Sequence, residues 1–197
     1  MIAKITLQSI LQTLAWTVVC GVIYPLVMTG AFQLLFPYQA NGSLVQVGGK
    51  LVGSELMAQQ FMGDKYFWPR PSACTYGSSP SGLVTSSGSN LGPTSAQLQT
   101  NVNANAKTLR TEGHLPDNAP VPADLVFASA SGVDPDISPE AARFQIARVA
   151  AARGVGVDQV AALVERSVKP QQWGFLGEAR VNVLMLNLAL DAAMPKK

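Results

Sequence analysis

The sequence predicts an α+β protein, with one N-terminal transmembrane helix followed by a single mixed soluble domain. Three observations carry this. Charged residues make up 13% of the chain against 48% hydrophobic, about half the charged share of an ordinary globular protein. The dilution is local, because no charged residue stands between Lys4 and Lys50. Beyond Lys50, short β-compatible runs alternate with capped, periodically apolar stretches, the mixture expected of a soluble domain.

The first element is the apolar run 14–36, "LAWTVVCGVIYPLVMTGAFQLLF". As a helix it is about 34 Å long, enough for a hydrocarbon core of about 30 Å. A cleavable signal peptide has a shorter core and an A-x-A-like site, which "PYQANGS" does not offer. A lipidated Cys20 is disfavoured by Val19 before it. Pro25 interrupts the helix in a way tolerated when neighbours satisfy the freed carbonyl. Thr17, Gly21 and Pro25 recur every four residues, a stripe of small or rigid side chains where a partner helix could approach. Lys4 before the run and Lys50 well after it favour residues 1–13 in the cytoplasm, 14–36 in the bilayer and 37–197 as an extracytoplasmic, periplasmic domain. Cys20 and Cys74 fall on different sides of this division, so no disulfide framework is expected. Cys74 is expected to report its side of the membrane by reacting with an impermeant thiol reagent.

In the soluble part, "SLVQVGGKLVG" reads as a hairpin about Gly48 and Gly49, and "DLVFASAS" (124–131) as a further strand. Leu98, Val102, Ala106 and Leu109 form one helical stripe after Pro93, Thr94 and Ser95. In "SPEAARFQIARVAAARG", Ser138 is the N-cap, Pro139 the first helical residue, Glu140 lies at the positive dipole end and Gly154 is the stop. "DQVAALVERSV" and "RVNVLMLNLALDA" are two more helices. The last is apolar on nearly every side and therefore buried, with Asn182 and Asn187 bonding neighbouring backbone.

Function classes fall away in turn. The formal net charge of +2 gives no basic face for nucleic acid. "GGKL" lacks the remainder of a phosphate-cradling loop, and "GSNLG" has Asn where a nucleophile elbow needs Ser. The single His114 has no ligand partners near it in sequence, so no metal site is expected. "DPDIS" fails as a calcium loop, with Pro139 and Gln145 at the positions that need Gly and Glu. It leaves one enzyme alternative, a magnesium-dependent phosphatase with Asp134 as nucleophile and Asp136 as acid/base. The competing reading is two carboxylates and a serine capping a helix.

"GSELMAQQF", "YFWPRPSA", "SSGSNLGPT", "SASGVDPDISPEAA", "QIARVAAARG" and "RVNVLMLNLALD" follow one another after the membrane run. In that order they closely resemble the KdpC family, the C subunits of Kdp-type potassium-transporting ATPases, over nearly the whole chain. Asp136 stands where members often carry His, and Trp68-Pro69 replaces a more usual His-Gly pair. The resemblance implies an accessory subunit, without catalytic residues, of an inner-membrane, high-affinity potassium uptake complex. Its implied partners are the channel-like KdpA, the P-type ATPase KdpB, the small KdpF and the lipid bilayer. The implied role is an assembly factor and catalytic chaperone that raises the ATP affinity of the ATPase subunit, with no firmly bound cofactor of its own and ATP met as part of the complex. Gln145 matches a Gln proposed to contact nucleotide. The periplasmic placement puts it across the bilayer from the ATP site, so the expectation is a helix-surface residue with at most a weak nucleotide contact and an indirect effect. Tyr66, Phe67, Trp68 and Arg70, with Gly88, Asn90 and Gly92 of "SSGSNLGPT", are expected either at the face that meets the channel-like subunit or, for the aromatics, in the domain's own core. Thr17, Gly21 and Pro25 are expected at a partner helix.

Overall fold

Residues 2–13, ahead of the apolar run, hold neither Pro nor Gly, so no helix breaker separates the run from Ile2. In the computed structural model, which describes residues 1–61, 63–74 and 85–194, one unbroken helix accordingly extends over Ile2–Leu35, long and apolar enough to cross a membrane. It comprises α1 (Ile2–Val18), a π-type turn (Val19–Ile23) and α2 (Tyr24–Leu35). The π turn sits immediately before Pro25, and the Tyr24 N–H reaches back to the carbonyl of Val19. Pro25 has no N–H and its ring crowds the preceding turn, so a wider turn lets the helix pass it without breaking. Thr6, Ser9, Thr13 and Thr17 each donate a hydroxyl hydrogen bond to the carbonyl four residues back, so these polar groups are satisfied within the helix. A short turn α3 (Pro37–Ala40) follows, then a hairpin of β1 (Leu44–Val47) and β2 (Lys50–Ser54). Gly48 and Gly49 take φ of 57° and 77°, the left-handed pair that a two-residue hairpin turn requires.

The chain divides into two compact units, Met1–Val52 and Gly53–Lys197. The second contains α4 (Ala96–Glu112), α5 (Ala123–Val126), β3 (Asp136–Ile137), α6 (Pro139–Arg153), α7 (Val157–Ser167), β4 (Val168–Lys169), β5 (Arg180–Asn182) and α8 (Val183–Ala193). β5 is the centre of a small antiparallel sheet in the order β3-β5-β4, with Ile137 opposite Val181 and Val168 opposite Val181 on the other side. The helices α6, α7 and α8 pack around a core that includes Val149, Val160, Val164, Val181, Leu186 and Leu190. Ser138 caps α6 through the Ala141 N–H, and Gly154 ends it at φ 65°, as the residue types require.

Two expectations are corrected. Residues 124–131 do not form a strand: 123–126 make one helical turn whose consecutive Leu125 and Val126 are both buried, a pattern that strand alternation cannot satisfy. The helix expected from Arg180 begins at Val183, because Asn182 caps it through the Met185 N–H and leaves Arg180–Asn182 free to be the central strand.

Candidate functional site

Residues 64–72 run through the second unit without regular secondary structure, so their backbone groups need partners other than a ladder. Polar side chains of α6 and α8 supply them. Asn187 accepts from the Phe67 N–H and donates to its carbonyl, both at 2.9 Å. Gln145 does the same for Trp68, at 2.8 and 3.2 Å. Arg148 donates to the carbonyls of Asp64 and Tyr66, and Arg153 to that of Lys65. The two arginines also lie over rings, Arg148 at 4.0 Å from the Trp68 centroid and Arg153 at 5.1 Å from that of Tyr66. Asp191 ties Arg153 and the Tyr66 hydroxyl together.

Phe67 is fully buried in the core, the second of the two places expected for it, and so is not available to an interface. Tyr66, Trp68 and Arg70 are half-buried, and Arg70 is paired with Asp134 at 3.1 Å. Gln145, expected on the helix surface, is 1% exposed, and Arg148 also donates to its carboxamide oxygen. Both ends of that carboxamide are therefore engaged within the domain. Asp134 also accepts from the Asp136 N–H, and Asp136 is held by Arg180 and Asn182. These carboxylates thus hold β3 against β5 and against the 70–72 segment. Burial raises the Asp136 pKa above its ordinary value, with the Asn182 hydrogen bond and Arg180 opposing. Among the described residues, no three of His, Cys, Asp and Glu gather at a metal-holding distance.

The loop "SSGSNLGPT" is pinned to 129–132: the Ser87 N–H and the Ser86 hydroxyl both donate to the Ser131 carbonyl. Gly88 faces inward, where a Cβ would meet the Ala130 carbonyl at 2.7 Å, whereas Gly92 opens to free space. Asn90 is exposed at φ 53°. Its side chain makes no hydrogen bond among the described residues, and tolerance of the left-handed region accounts for an Asn there. Cys74 is buried, its sulfur 3.0 Å from the Thr85 carbonyl, which removes it as a surface reporter. Thr17, Gly21 and Pro25 are all exposed on the first unit, with open space beside Gly21.

Beside the 64–72 segment lies a cleft of about 420 Å³ lined by Phe61, Trp68, Arg70, Asn105, Leu109 and Glu112. Arg70 Nε and Glu112 Oε2 are buried there without a hydrogen-bond partner among the described residues. Burial and the nearby Asp64 raise the Glu112 pKa, with Arg148 opposing. Burial lowers that of Arg148 against the pull of Asp64 and Glu112. Asn187 bonds neighbouring backbone as the sequence led one to expect, whereas Arg148, Arg153 and Glu112 were not foreseen as organisers of this region. The available signal was α6 itself, where Gln145, Arg148 and Arg153 stand among the small and apolar residues of its second half.

The family described as "KdpC: K+-transporting ATPase, c chain" matches residues 6–192. Curated relatives each carry the name potassium-transporting ATPase KdpC subunit. The protein of Rhodopseudomonas palustris strain TIE-1 is 50% identical over 197 residues, covering 95% of this chain and 96% of its own. That of Methylococcus capsulatus is 51% identical over 185 residues, covering 93% and 95%. That of Geobacter sulfurreducens is 50% identical over 189 residues, covering 95% and 97%.

Proposed function

This chain belongs to the KdpC family, the c chain of the K+-transporting ATPase, and from that premise we propose how it serves the complex. It is an accessory subunit of a potassium uptake ATPase, not the catalytic one. In the proposal it stabilises assembly with the channel-like KdpA, the ATPase KdpB and the small KdpF, and it raises the ATP affinity of the ATPase subunit from a distance. Residues 14–36 cross the inner membrane, with 1–13 in the cytoplasm and 37–197 in the periplasm, as the Lys4 and Lys50 placement favours. The observation that carries this reading is the match from residue 6 to 192, which takes in the apolar helix and the domain together. The occupied Gln145 carboxamide supports an indirect effect on ATP, since adenine recognition needs a free donor and acceptor.

The test is purification in mild detergent from potassium-starved cells carrying a tagged copy of this chain. The ATPase subunits should co-purify, and the KM for ATP should rise when this subunit is omitted. Equal yield and equal KM without it would overturn the proposal. The phosphatase alternative, with magnesium bound near Asp134, requires phosphate-ester hydrolysis by the purified chain that Asp134→Asn abolishes. The Arg70 and Arg180 pairings give Asp134 and Asp136 a structural use instead.

A further inference from the structure

Between β4 and β5 the chain projects a small closed loop whose tip is apolar and exposed. Trp173 is 84% exposed, Phe175 72% and Leu176 42%. The loop is built, not loose: Gln172 and Leu176 exchange backbone hydrogen bonds at 3.0 and 2.9 Å, and the Gly174 N–H bonds the Gln171 carbonyl. Trp173 sits at φ 52°, flanked by Gly174 at 82°, with Gly177 at 73°. A bulky residue in the left-handed region is an outlier, and such strain persists where the surroundings impose it. Here its result is that the Trp173 and Phe175 rings lie together, centroids 6.5 Å apart, outside the core.

We propose that this tip is a docking anchor that inserts Trp173 and Phe175 into an apolar pocket on another subunit of the complex, a pocket bordered by a basic side chain that meets Glu178. This rests on the assembly role proposed above. Charge selects a protein over a lipid surface. Interfacial anchors combine aromatics with free cations, whereas the two basic residues flanking this loop are already committed, Lys169 to Glu55 and Arg180 to Asp136. The charge within the loop is the exposed Glu178, which an anionic membrane repels. Aromatic residues of this kind are the usual energetic centres of protein interfaces. Two rings of about 150–250 Å² each would supply a large part of one side of an ordinary interface of about 800 Å².

The experiment compares W173S/F175S with the natural chain in the detergent-purified complex. Both positions are exposed, so the variant chain should keep its thermal midpoint while its retention with the other subunits falls at least tenfold. Val157→Ser, at an exposed apolar position on α7, should leave retention unchanged. If the natural chain itself fails to co-purify, the assembly role fails. If it co-purifies and W173S/F175S matches it, or if Val157→Ser weakens retention equally, the anchor alone is overturned. Quenching by brominated lipid that is lost on Trp173→Phe, in nanodiscs holding the chain alone and with complex yield unchanged, would place the tip in lipid and also overturn it.

Discussion

Gln145 holds both backbone groups of Trp68 and a nitrogen of Arg148. Gln145→Leu fills the space but strands all three, and unsatisfied buried groups cost about 1–3 kcal/mol each before relaxation. We expect a loss of about 2–3 kcal/mol in urea denaturation of the full chain in detergent, followed by Trp fluorescence, with Gln145→Glu milder because it keeps the acceptor. Sequence periodicity reads polar residues as outward-facing, and for Gln145, Arg148 and Arg153 that is the wrong side. An irregular segment threaded through a domain needs donors where a sheet would need none. Glu112 allows a pH test. Its folded pKa lies above the ordinary 4.5, so the folded state binds this proton more tightly than the unfolded one. Stability is then greatest with the group protonated, and it falls as pH rises from the ordinary glutamate range through the folded-state value. Glu112→Gln should therefore raise the thermal midpoint near neutral pH and change it little below about pH 4.

Among the elements, the long ones were legible because periodicity and caps agreed. α4 and α6 begin at Ser95 and Ser138, each accepting from the backbone three residues on. β5, three residues long and joined directly to α8, was not, since no period can be read over so short a span; Asn182 as a helix N-cap was the remaining signal. The long apolar helix shows why the stripe at four-residue spacing holds together. In a pure α-helix each step of four overshoots a full turn by about 40°, and the wider turn at Val19–Ile23 takes up that drift between Thr17 and Pro25. If this line meets a partner helix, Gly21→Leu should lower co-purified complex and Val22→Leu should not. Equal losses would place the contact elsewhere.

For the whole molecule, the proposed orientation is tested by a surface thiol on the second unit. Cys74, buried beside the carbonyls of Thr85 and Ser87, cannot report it. Thr100→Cys, exposed on α4, can: an impermeant maleimide should label it in intact spheroplasts, while labelling only after permeabilisation would reverse the proposed orientation. The side-chain clasp on residues 64–68 also sets an order in time. Its partners lie 77 to 120 residues further along the chain, and a chain is synthesised from its amino end. The clasp cannot close until α6 and finally α8 have left the ribosome. Until then Phe67 and Trp68 wait without their partners, so a nascent chain stalled before Asn187 should be captured by chaperones and cut readily by protease, and one released beyond α8 should not.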